Sequence, residues 1–176
     1  LADVNLEEGK YDEAAAALAA AHRMYVALHQ PVGVAMVLNR QAILAYYAGD
    51  DATAVALCQT GLAQLPPNDG PLIRSRTLRL LAEIAISQRQ LAQASSYFEQ
   101  AQNANLLLND QTENAAILYA KAKLDHHLGF DREALDAAEL SVQIYAAMGD
   151  RKAVSMVQIL ISMLHAALHD ANAARE

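Results

Sequence analysis

A spacing of 40 residues constrains this chain more than any other feature. One slot, at the end of a helical run, holds Gly9, Gly49, Arg89, Gly129 and His169. Five residues later stand Ala14, Ala54, Ala94, Ala134 and Ala174. Seven residues before it stand Ala2, Ala42, Ala82, Ala122 and Ser162, and twelve after it Ala21, Gly61, Ala101 and Ser141. Small side chains at fixed offsets let helix backbones approach closely, and a period of this length marks a stacked array of helix pairs. The expectation is all-α, with antiparallel pairs stacked in a right-handed superhelix.

Composition agrees with that reading. Glycine and proline are scarce and alanine, the best helix former, is abundant. The 176 residues are enough for a single domain with a continuous core. A formal net charge of -7 argues against a nucleic-acid-binding surface, which would present a basic face. The lone Cys58 excludes an internal disulfide and fits a reducing, cytoplasmic setting. No apolar run reads as long enough to span a bilayer, so no membrane partner is expected. A start at Leu1 and a stop inside a repeat at Glu176 read as a piece of a longer protein.

Along the chain the apolar spacing predicts helices over 11–29, 32–48, 52–65, 72–88, 91–108, 111–128, 131–148 and 151–169. A helix tail precedes them over 1–8, and a further helix starts near Ala171. Asp50 or Asp51 is placed to cap one helix and Asn109–Asp110 another. The breaker cluster 66–71 keeps the repeat in phase, so it reads as a longer loop in place of a helix end. Arg89–Gln90 reads as a turn without glycine. The organisation is one repeat domain over 1–176, with a partial repeat near 1–30, repeats at 31–69, 70–109 and 110–149, and a partial one at 150–176.

Catalytic and metal motifs are absent. His165 and His169 share a helix face, but Ala166 stands where a zincin motif needs glutamate. Asp125, His126 and His127 are sequence neighbours, which diverge on a helix. Gly9–Lys10 lacks the glycine-rich run of a phosphate loop, and Glu7–Glu8 reads as solvated surface. Cys58 sits in an apolar slot and reads as a buried, inert thiol. The expectation is a non-enzymatic chain without cofactor or metal.

The residues resemble the tetratricopeptide repeat family. Ala94-Ser95-Ser96-Tyr97-Phe98 matches its alanine-to-phenylalanine step, Leu78-Arg79-Leu80-Leu81-Ala82 its first-helix core, and Pro66 its proline slot. The chain departs from the pattern in lacking tryptophan and in carrying Gln41 and Lys121 where leucine is usual. Val26, Leu106 and Ala146 replace the terminal proline. Without that proline the second helix runs on, which accounts for a period of 40 rather than 34. Openings such as Met148-Gly149-Asp150-Arg151 are similar to the sensor arrays of large LuxR-type, ATP-dependent bacterial transcription activators.

The resemblance implies that the first helix of each pair lines a concave groove, with five inward positions per repeat. Carried over, these are Met36, Asn39, Ile43, Tyr46 and Tyr47 in one repeat and Arg76, Arg79, Glu83, Ile86 and Ser87 in the next. Ala116, Tyr119, Lys123, His126 and His127 follow, then Met156, Ile159, Met163, Ala166 and Ala167. The candidate peptide- or ligand-binding residues are Asn39, Tyr46, Tyr47, Arg76, Arg79, Glu83, Tyr119, Lys123 and His126. Arg76, Arg79 and Lys123 make a local reversal of sign in an acidic chain, which suits an acidic group on a protein or peptide partner. Glu83, one helical turn from Arg79, would offset part of that charge. The implied role is a peptide-binding scaffold, or the ligand-sensing segment of a larger signalling or transcription-regulatory protein. Apolar residues near the end, Ile159, Leu160, Met163 and Leu164, predict self-association through the ends of the array.

Overall fold

The computed structural model describes residues 11–106 and 108–173. Eight helices fill that length: α1 (Tyr11–Ala27), α2 (Pro31–Tyr47), α3 (Asp51–Gln64), α4 (Pro71–Ser87), α5 (Leu91–Leu106), α6 (Gln111–His127), α7 (Asp131–Ala147) and α8 (Arg151–Ala173). Their starting residues fall at a constant interval of half the repeat. No strand occurs among the described residues. The expected helix tail at 1–8, the Gly9–Lys10 turn, Ala2 and Ala174 lie outside the described residues.

The helices pack as sequential antiparallel pairs, consistent with a helical repeat. α2 (first helix) packs on α3 (second helix), α4 on α5 and α6 on α7. Each second helix also packs on the next first helix, and α2, α4, α6 and α8 touch in succession. The small-residue slots sit at these contacts. Ala54, Ala94 and Ala134 are fully buried, as are Ala42, Ala82 and Ala122. Ser162, the counterpart of the latter three on α8, is exposed.

The closest approach within a pair recurs in three forms. A Cβ on Gly61 would lie 3.5 Å from the Ala35 carbonyl oxygen. One unit on, Ser75 donates from Oγ to Ala101 O at 3.0 Å. One unit further the hydroxyl changes sides, and Ser141 Oγ donates to Ala115 O at 2.8 Å. Only small side chains fit there, which is why the slot holds Gly61, Ala101 and Ser141.

Most turns share one device; after α5 the Asn109 N–H instead donates to Asn105 O at 2.8 Å. Gly49 (φ 80°) donates its N–H to Tyr46 O at 3.0 Å and Asp50 donates to Ala45 O at 2.9 Å, a Schellman closure. Arg89 (φ 58°) makes the same closure to Ile86 O and Ala85 O, so the turn without glycine is real. A left-handed residue other than glycine is strained there, and the packing of α5 back onto α4 holds it. After α3 the device is replaced. The helix stops at Gln64, the chain runs through 65–70, and Gly70 (φ 60°) delivers Pro71 to the first turn of α4.

Two expectations need correction. The break at His169, with a new helix from Ala171, is not made, because α8 continues to Ala173. Ala166, Ala167, Ala171 and Ala173 favour continued helix through that slot. The reading that no run is long enough to span a bilayer also fails. An 18-residue window within Arg151–His169 has a mean hydropathy of 1.3, long and apolar enough by length and composition alone. One stripe of it, Val157, Leu160 and Leu164, is buried in a core shared with Ala134, Ala138 and Tyr145.

Candidate functional site

One cleft of about 340 Å³ crosses the first helices. Asn39, Tyr46 and Tyr47 line it from α2, Arg76, Arg79 and Glu83 from α4, Glu113 and Ala116 from α6, and Ala153 from α8. Tyr145, near the end of α7, and Asp150 complete its far side. The helical spacing of residues 76, 79 and 83 puts them on one face of α4.

Glu113 is the pivot of the charge network. It is 2 % exposed and lies between two guanidinium groups. Arg79 Nε donates to its Oε1 at 3.0 Å, and Arg76 Nε faces its Oε2 at 3.5 Å. Ser75 Oγ lies 3.2 Å from Oε1, competing for the proton it offers Ala101 O. Asp110 caps α6 by accepting from the Glu113 N–H at 2.8 Å, which fixes the backbone that aims this carboxylate at α4. A second link runs from Glu83 to both sides: Arg79 Nη1 donates to Oε1 at 2.8 Å and Lys123 Nζ to Oε2 at 2.9 Å. Lys123 also lies 4.9 Å from the centre of the Tyr119 ring.

These pairs hold each other charged. Burial pushes the Glu83 carboxyl up, but Lys123 and Arg79 outweigh it and hold it below its ordinary value. Burial works against the charge on Lys123 and Arg79 as well. Glu83 outweighs it for Lys123, and Glu113 with Glu83 for Arg79, so both cations titrate above their usual range. Burial first, then Glu83, raises the Tyr46 phenol.

Six of the nine sequence candidates therefore line one cleft: Asn39, Tyr46, Tyr47, Arg76, Arg79 and Glu83. Lys123 and Tyr119 adjoin it through Glu83. His126 is drawn away, its Nδ1 pairing with Asp131 Oδ1 across the α6–α7 turn. Asn39 is 3 % exposed and donates to Thr77 Oγ1 at 3.2 Å, so it ties α2 to α4 as well as facing the cleft.

The three cations do not form an open basic patch. Arg79 and Lys123 are committed to Glu83 and Glu113. Arg76, with 34 % of its side chain exposed, makes only the long approach to Glu113 among the described residues.

Sequence reasoning missed Glu113 and Tyr145. A signal for Glu113 exists: its slot holds Gly33, Ile73 and Ala153 in the other units, so a carboxylate there breaks the pattern. Asp125, His126 and His127 do not converge. Asp125 pairs with Lys121 at 2.6 Å, while His127 is exposed. Cys58 is fully buried, and burial pushes its thiol up to about 12. No protein-family model matches the chain, and no curated protein matches it.

Proposed function

We propose that the chain is a non-enzymatic, peptide- or protein-binding repeat module of tetratricopeptide-like build, cytoplasmic, its pairs wound in a right-handed superhelix. The observation that carries this reading is the cleft that crosses four first helices, lined by tyrosine faces and by a guanidinium with donors to spare. Extended segments suit such a trough: flat aromatic walls supply apolar contact, and Arg76 supplies one charged anchor. The partner segment carries an acidic group that Arg76 meets. Arg79 and Lys123 position Arg76 and close the seam rather than bind directly.

Titration with a library of capped acidic and neutral peptides, followed by amide and tyrosine NMR signals, tests the reading. Acidic peptides should shift signals of Ile43, Tyr46 and Arg76, with affinity that falls as salt rises. Arg76→Ala should weaken binding several-fold more than Arg132→Ala on the exposed side of α7. Equal losses, or peptides that shift only α3, α5 and α7, would refute it.

A second reading is favoured by one feature. The pairs Arg79–Glu113 and Glu83–Lys123 join successive units. An occupant that competes for them changes how the units sit, which is what the ligand-sensing array of a larger signalling or transcription-regulatory protein requires. Small-angle scattering with and without a bound peptide separates the two: a change in radius of gyration favours the sensor.

A further inference from the structure

The cleft contains a polar group that the fold does not use. Tyr145 is 6 % exposed, its ring is part of the core beneath α8, and it lines the cleft. Its hydroxyl makes no hydrogen bond to any described residue and is not a fully buried atom, so the tip of this otherwise buried side chain is open to the cleft. Packing does not demand it either. The same slot holds Tyr25, Leu65 and Asn105 in the other units, and Leu65 is buried just as well without a hydroxyl.

The surroundings define what the hydroxyl is for. Arg79, Glu113, Asp150 and Glu83 are the charges that act on it. Glu113 is also what Arg76 faces, and Tyr145, Arg76 and Glu113 line the same cleft. The cleft lining carries three cations, Arg40, Arg76 and Arg79, and three carboxylates, Glu83, Glu113 and Asp150; Arg76 is the cation with a long approach to its carboxylate and a third of its side chain exposed. Burial pushes the Tyr145 phenol up to about 12, so it stays a neutral donor at physiological pH.

We propose that Tyr145 and Arg76 together seat one ligand carboxylate, Tyr145 donating its hydroxyl hydrogen and Arg76 its terminal N–H groups. The inference rests on the binding groove proposed above and names the group that the groove selects. A carboxylate accepts charge-assisted hydrogen bonds from the Arg76 guanidinium; an amide of the same shape would leave those donors facing a neutral group. The carboxylate comes either from a chain terminus or from an acidic side chain.

The test uses the chain itself and two probe pairs. N-acetyl-L-alanine is compared with N-acetyl-L-alanine amide for a terminal carboxylate. Capped Ala-Glu-Ala is compared with capped Ala-Gln-Ala for a side-chain one. The acid of at least one pair should shift the Tyr145 ring signals saturably and bind about tenfold or more tighter than its neutral partner. The pair that discriminates identifies the source. Tyr145→Phe keeps the ring in the core, so its melting temperature should stay near the parent's while the preference for acid over neutral probe is lost. Acid and neutral probes binding alike in both pairs, or a preference unchanged in Tyr145→Phe, overturns the proposal. If peptides still shift Ile43 and Tyr46 in that case, the groove stands and only the carboxylate seat falls. If the small acids bind but no longer peptide gains affinity over them, the seat stands and the peptide groove falls.

Discussion

At the seam between α4 and α6, the slots that face the cleft hold Arg79 and Glu83 on one helix and Tyr119 and Lys123 on the other. One unit later, on α8, the same two slots hold Ile159 and Met163. The first seam is joined by ion pairs from Glu113 and Lys123. At the second, no side-chain hydrogen bond or ion pair joins α6 to α8 among the described residues, and Ile159 and Met163 are 65 % and 54 % exposed. The small-residue slots beneath the cleft stay constant up to α7. Packing therefore fixes the buried offsets and leaves the cleft-facing ones free to change chemistry. Whatever is specific about this chain has to be looked for in the slots that break its period.

The largest effect should come from removing the pivot. Glu113→Ala strips Arg79 of its buried partner and is expected to cost about 3–5 kcal/mol in urea unfolding. A loss comparable to that of an exposed residue would mean the ion pairs do not hold the polar seam.

The constant slots should respond next. Ala94→Leu, at a fully buried contact between α5 and α4, is expected to cost about 1–3 kcal/mol through overpacking. An unchanged unfolding midpoint would show that the two seams do not share a scaffold.

Acid should separate the seams more gently. The Glu83 pKa is lower folded than unfolded, so its contribution is present above about 4.5 and is lost as pH falls through the folded value. The parent should lose stability below that pH, and Glu83→Gln should show a shallower loss from a lower starting point. Identical pH profiles would remove Glu83 from the account.

The smallest effect belongs to the apolar seam. Ile159→Ser should change stability by less than about 0.5 kcal/mol, as exposed substitutions do. If α8 mediates self-association, sedimentation at high concentration should show the parent associating and this variant monomeric. A parent that stays monomeric would dispose of that role.

Much of the fold was legible because close packing imposes small residues wherever helices cross. Ala54, Ala94 and Ala134 announce the same contact three times. The run of α8 past His169 was not legible, since a period predicts a turn where the local alanine-rich sequence favours helix. Arg89 lacks glycine too, yet α5 folds back on α4 and the turn forms. The site was half legible for a related reason. Arg76, Arg79 and Glu83 fall in slots that the repeat pattern assigns to the groove, and all three line the cleft. Glu113 occupies a slot that is small or apolar elsewhere and Tyr145 a slot whose residue changes from unit to unit, so a reading built on repetition passes over them. The pairing of His126 with Asp131, beyond the turn, was not legible in the period.

The cross-unit bonds also decide how the array would yield under tension. Asn39–Thr77 ties α2 to α4, and the Glu113 and Glu83 pairs tie α4 to α6. Outside that span, α1 packs on α2 and α8 on α7, and, Arg40 aside, no side-chain hydrogen bond or ion pair joins either pair among the described residues. A chain pulled from both ends would shed α8 and α1 at low force and surrender the clasped middle last, in one larger step. Such a middle behaves as a buckle between two straps, and anything seated in the cleft would tighten it.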